Sequence, residues 1–114
     1  MVYDPKVILS DFNERMSDIR KTVPAEYEAF IKEKETILRS NRLPEKTKWL
    51  LMLVSSVSQK CPVCLARAVT NCLKQGWTKE EMLEACMVAV LVGGASAMTY
   101  VTMVDQTIDE LMKK

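Results

Sequence analysis

Apolar residues recur at three- and four-residue intervals along nearly the whole chain. Ile8, Phe12, Met16 and Ile19 keep helical spacing, and Pro24 ends or interrupts that first helix. Pro24 also suits the opening turn of a second helix. Its inner face is expected to be Tyr27, Phe30, Ile31, Ile37 and Leu38, with Lys32-Glu33-Lys34-Glu35 as a solvated outer face. A third helix is predicted from Pro44 to about Gln59, with Leu50, Leu51, Leu53, Val54 and Val57 destined for deep burial or a subunit contact. A fourth starts at Cys61-Pro62 and stops at Gly76, a natural residue just past a helix end. Thr78-Lys79-Glu80-Glu81 has the form of a capping box opening a fifth helix, whose core face is Met82, Leu83, Cys86, Ala89 and Val90. Gly93-Gly94 breaks the pattern, and a sixth helix carries Met98, Val101, Val104, Ile108 and Leu111. β-Branched runs are short and no Asn-Gly or Asp-Gly hairpin signal occurs, so the fold class read from the pattern is all-α, with about six helices.

Charge is spread unevenly over this pattern. Residues 1–48 carry nineteen of the thirty-one charged side chains, and Lys60, Arg67 and Lys74 are the only ones between Trp49 and Trp77. Helices so poor in polar positions cannot face water all round, and a domain of this size buries only about two-thirds of its unfolded surface. A homo-oligomer is therefore expected. Ala85 to Val104 is uncharged and reaches the length of a membrane span, but Gly93-Gly94 divides it and Ser96, Thr99 and Thr102 dilute it. Two buried helices meeting at a turn is the better reading, with no membrane partner.

The 114 residues suit one domain over 1–114, and 48% hydrophobic against 27% charged residues is the balance of a globular chain. A net charge of +1 argues against a dedicated nucleic-acid partner. With no histidine, imidazole acid–base catalysis and histidine–metal sites are excluded. Met1-Val2-Tyr3-Asp4-Pro5-Lys6 has neither the basic region nor the apolar core of a secretory leader, so a cytoplasmic location is expected.

Cys61-Pro62-Val63-Cys64 is the constellation with explicit chemistry. Pro62 favours the first helical position, which makes Cys61 the N-cap and Cys64 a first-turn residue. Unpaired amides and the positive end of the helix dipole lower the pKa of both thiols, and a three-residue spacing brings them near disulfide geometry. Cys72 lies eleven residues after Cys61, about 16 Å along the same helix, and can pair with neither Cys61 nor Cys64; Cys86 falls on the next expected helix. Both are expected as buried, small apolar residues. No second C-x-x-C completes a zinc set, so neither a metal nor another cofactor is expected.

From about Leu43 to Leu111 the sequence resembles the carboxymuconolactone decarboxylase/AhpD-like family. The ordered cues are Leu43-Pro44-Glu45-Lys46-Thr47-Lys48, an apolar helix, Cys61-Pro62-Val63-Cys64, Gly76, the Thr78 cap and the Gly93-Gly94 break. The resemblance implies an AhpD-like helical fold assembling as a trimer or hexamer. In the redox branch it implies a glutamate twelve residues before the first cysteine and a histidine four after the second; Trp49 and Ala68 stand there instead. Decarboxylation, which relies on acid–base residues, is therefore not expected. Thiol–disulfide chemistry survives better, because a thiolate needs only a lowered pKa. Arg67, three residues after Cys64, is read either as a supporting positive charge or as a plain surface residue.

The resemblance assigns attack to Cys64 with Cys61 resolving, whereas electrostatics favours Cys61, nearest the helix end. The leading expectation is a thiol–disulfide oxidoreductase with alkylhydroperoxidase-like antioxidant activity. It would act on a peroxide or disulfide and be reduced by a dithiol or a thioredoxin-like protein. The alternative is a catalytically lapsed member serving as a binding or assembly subunit, with Trp49 lining a pocket or packing in the core.

Overall fold

Three apolar helices build the core. In the computed structural model α3 (Glu45–Ser58), α4 (Pro62–Lys74) and α5 (Lys79–Met112) pack on one another through Leu53, Val57, Leu65, Val69, Met82, Val104 and Ile108, all fully buried. Each such side chain contributes roughly 1.5–3 kcal/mol relative to staying in water. α1 (Pro5–Thr22) and α2 (Pro24–Leu38) form an outer pair, and only one stripe of each is even half-buried. The structure describes residues 3–113. Met1 and Val2, which open the segment read for a leader, and Lys114 lie outside the described residues. Among the described residues there is no strand.

Local chemistry sets the helix ends. Asp4 caps α1 by accepting the Lys6 and Val7 amides, and Pro5, Pro24 and Pro62 each occupy an opening position. Pro44 stands one position earlier than expected, as the N-cap of α3. Thr78 and Glu81 close the capping box in both directions. The Leu43–Lys48 stretch works as a clasp. Glu45 accepts from Trp49 Nε1 at 3.3 Å and from Gln75 Nε2 at 3.2 Å, tying α3 to the end of α4. Lys48 donates to the Ile37 and Arg39 carbonyls at 2.7 and 2.8 Å, capping α2 with a cation. The Lys46 carbonyl accepts from Trp77 Nε1 at 2.8 Å.

α5 is continuous in its helical assignment, so five helices stand where six were expected, yet it is not straight. Lys79 Nζ meets Asp109 at 2.8 Å across thirty residues, a span of about 45 Å in an unbroken helix. The chain folds back at Gly94, whose φ of 66° and ψ of −149° is open essentially to glycine alone. Gly93 is needed for a different reason: a Cβ there would lie 2.8 Å from the Ala97 Cβ. The two arms are the expected fifth and sixth helices. Although α5 has the length and hydropathy of a membrane span, the fold-back at Gly94 leaves each arm an uncharged stretch of only about ten residues, half of what a bilayer requires.

Several faces differ from expectation. Phe30 and Ile37 are exposed, and the inward stripe of α2 is Tyr27, Ile31, Lys34 and Leu38. Lys34 therefore leaves the solvated face: its ammonium lies 5.8 Å from the centre of the Trp49 ring. Ile19, Leu51 and Met98 are exposed as well, while Leu91 and Val92 at the tip of the α5 hairpin are 87% and 89% exposed. The hairpin thus presents an uncharged, apolar end that the single chain does not cover.

Replacing Gly94 with Ala should lower stability by about 1–3 kcal/mol, since the turn demands a backbone conformation alanine does not reach without strain. Urea denaturation followed by circular dichroism measures this; a midpoint equal to the parent protein's would contradict the hairpin geometry.

Candidate functional site

The turn between α3 and α4 delivers the cysteine pair. α3 ends in a Schellman arrangement, with the Lys60 amide donating to Val57 O at 3.2 Å and the Cys61 amide to Ser56 O at 3.1 Å. The closing residue of that turn, Lys60, is left-handed at φ 56°. Cys61 then takes an extended conformation as N-cap of α4, and its Sγ accepts the Cys64 amide at 3.1 Å. This satisfies one of the free amides of the first turn and would favour a negative sulfur at Cys61. Cys61 and Cys64 are joined in a disulfide with Cα atoms 5.3 Å apart, inside the range such bonds require. Cys64 is exposed and Cys61 half-buried, so a reagent from solvent meets Cys64 more readily.

The other cysteines are unlike this pair. Cys72 and Cys86 are free and fully buried in the core. Burial pushes each thiol up to about 12, with the neighbouring Cys72 adding to the effect at Cys86. They stay protonated at neutral pH and play no part in thiolate chemistry.

Trp49 is buried at the floor of a crevice of about 330 Å³ between α2 and α3, with Ile31, Lys34, Leu38 and Glu45 among its lining. Ala68 is buried in α4. Arg67 is half-buried, and its guanidinium stacks on the Phe12 ring at 4.5 Å from the ring centre. Burial, and then the nearby Arg67 charge, depress the Lys34 ammonium from its ordinary value. Periodicity missed two features of this region. A lysine stem can lie on an apolar surface while its head stays wet, so Lys34 reads as polar. The left-handed Lys60 had no glycine to announce it.

Residues 24–105 match the model of the carboxymuconolactone decarboxylase family. No curated protein matches the chain. Among solved structures, an apo carboxymuconolactone decarboxylase family protein from Legionella pneumophila is similar with a TM-score of 0.92. It is 26% identical, and the match covers 96% of this chain and 97% of that one. Two crystal structures from Thermotoga maritima share the fold. One has a TM-score of 0.84 at 24% identity, covering 93% of both chains. The other has a TM-score of 0.80 at 23% identity, covering 90% of this chain and 88% of that one. The latter is a member of the same family for which involvement in an antioxidative response has been suggested.

Alkylation of the reduced, folded protein at pH 8 should label Cys61 and Cys64 and leave Cys72 and Cys86 unmodified until urea is added, as read by peptide mass spectrometry. Labelling of all four under native conditions would contradict the burial. Both buried thiols have folded values above their ordinary 9.0. Their contribution to stability is therefore complete below pH 9 and is lost as pH rises towards about 12, and denaturation midpoints should fall over that window.

Proposed function

The chain belongs to the carboxymuconolactone decarboxylase family, and on that premise we propose that it is a thiol–disulfide oxidoreductase working through Cys61 and Cys64. The observation that carries this is the pair itself: two cysteines at a helix start, disulfide-bonded, with Cys64 open to solvent and Cys61 holding an amide hydrogen bond. Cys64 acts as the nucleophile. With an organic peroxide as substrate, its thiolate takes the distal oxygen and the alcohol leaves, giving a sulfenic acid. The Cys61 thiol then displaces water and closes the disulfide. A dithiol, or a thioredoxin-like protein, attacks the disulfide and returns both thiols. In the reductive step Cys61 leaves as a thiolate that the Cys64 amide stabilises.

Trp49 and Ala68 put apolar volume where the redox branch has its carboxylate and imidazole, so protons move through solvent rather than through a relay. Rates should therefore follow ionisation of the attacking thiol and lack the roughly 10²–10⁴-fold assistance of a positioned base. The cytosol fits this chemistry, because its dithiol systems keep such a couple cycling. We further propose that copies of the chain assemble as a trimer or hexamer, covering the exposed Leu91, Val92 and Met98. A second reading, a binding or assembly subunit without turnover, is favoured by the buried Trp49 and by the crevice above it.

Turnover of cumene hydroperoxide with dithiothreitol or reduced thioredoxin separates the two. The oxidoreductase reading expects slow multiple turnover that Cys64→Ser abolishes; in Cys61→Ser peroxide alone should oxidise Cys64 to a sulfenic acid without forming an intramolecular disulfide. A parent protein that oxidises no faster than free thiol supports the subunit reading. Light scattering at micromolar concentration should report at least three chains per particle, and a stable monomer would remove the assembly argument.

A further inference from the structure

The turn that carries Cys61 has a side chain at a position the backbone reserves for glycine. Two helices of this chain close with the same pair of hydrogen bonds. α4 ends with Gly76 N donating to Leu73 O and Trp77 N to Cys72 O, and α3 ends with Lys60 N donating to Val57 O and Cys61 N to Ser56 O. In the first turn the left-handed residue is Gly76, at φ 90°; in the second it is Lys60, at φ 56°. Lys60 is the one non-glycine residue with positive φ among the described residues. A residue with a Cβ is disfavoured there and glycine is not. Residues held against such a preference concentrate at functional sites.

Lys60 is exposed and directly precedes Cys61. Consecutive Cα atoms are about 3.8 Å apart, so the cysteine pair lies within the reach of the flexible lysine stem. No other charge adjoins the pair in sequence. Arg67 is stacked on Phe12 and Lys74 ends the far side of α4. α3 has no charge between Lys48 and Lys60, and the α5 hairpin none between Glu84 and Asp105. α1, which also packs on α4, carries Lys6, Asp11, Glu14, Arg15, Asp18, Arg20 and Lys21, all exposed, with Arg15 and Asp18 paired at 3.6 Å and Arg20 and Glu28 at 3.7 Å. None of the ion pairs among the described residues involves Lys60.

We propose that Lys60 is a positioning residue for the thiol chemistry: from the left-handed turn its ammonium, which joins none of the ion pairs, swings to Cys61 and Cys64, raises the thiolate fraction of the reduced pair and draws anionic reagents to it. The proposal rests on the thiol–disulfide reading, but its test needs no turnover. The full chain is reduced and alkylated with neutral iodoacetamide or anionic iodoacetate from pH 5 to 9. Labelling of Cys61 and Cys64 is followed by peptide mass spectrometry in the parent protein and in Lys60→Gln, Lys60→Gly and Lys60→Arg.

Loss of the charge should slow iodoacetamide labelling at pH 7 about threefold, the effect of one unit charge some 6 Å away through water, and move the pH profile upwards. Iodoacetate should lose more than iodoacetamide, and Lys60→Arg should behave as the parent does. Lys60→Gly should also melt at a higher temperature, which separates the backbone cost from the charge. Lys60→Gln leaves the backbone demand as it is, so its result does not depend on refolding of the turn. Parent-like labelling by both Lys60→Gln and Lys60→Gly at every pH overturns the proposal. Failure of the peroxide assay with the lysine effect intact would instead count against the peroxidase reading alone.

Discussion

The hydrogen bond from the Cys64 amide to the Cys61 sulfur ties the backbone of this protein to its chemistry. It forms because Pro62 occupies the first helical position and leaves Cys61 as the cap, so the same geometry starts α4 and sets the two sulfurs in bonding reach. Two upstream features lead the chain to it. The Glu45–Lys48 clasp holds α3 against α2 and α4, and the Schellman turn at Lys60 aims the chain into the cap. A redox pair on a helix start has its amides fixed before reaction, so a thiolate meets dipoles that need no rearrangement.

The second constraint is solvation. The run from Ala85 to Val104, which has no charge, folds back at Gly94, and α5 buries one side of each arm in the α3–α4 core. The other side, at the hairpin tip, meets water only at a cost that a partner surface of similar character would relieve. The hairpin tip and the cysteine turn are in this sense separate features: the tip exposes Leu91 and Val92, whereas the turn leaves Cys64 open to solvent.

Short-range chemistry was readable in the sequence. The capping box at Thr78, proline at the openings of α2 and α4, Gly76 at the end of α4 and the break at Gly93-Gly94 all follow from sterics and hydrogen bonds within a few residues. The expected family and the all-helical fold followed from their order. What was not readable depends on neighbours distant in sequence. Periodicity marks Phe30, Ile37 and Met98 as apolar but cannot say whether their face meets this chain's core, and here it does not. Arg67 found Phe12, and Lys34 found Trp49, through packing of α1 and α2 that no local pattern encodes. Lys60 escaped notice because a left-handed turn is ordinarily flagged by the glycine it lacks.

If the proposed chemistry holds, Cys61 and Cys64 form a reversible two-electron couple in the folded protein. Equilibrium titration in dithiothreitol buffers of graded redox poise, quenched in acid and read by mass-tagging of free thiols, measures it directly. Cys61 and Cys64 should gain or lose their tags together in one transition while Cys72 and Cys86 remain unchanged, with forward and reverse titrations superimposing. Thiols that remain reduced throughout, or a disulfide that no dithiol reopens in the native state, would contradict it.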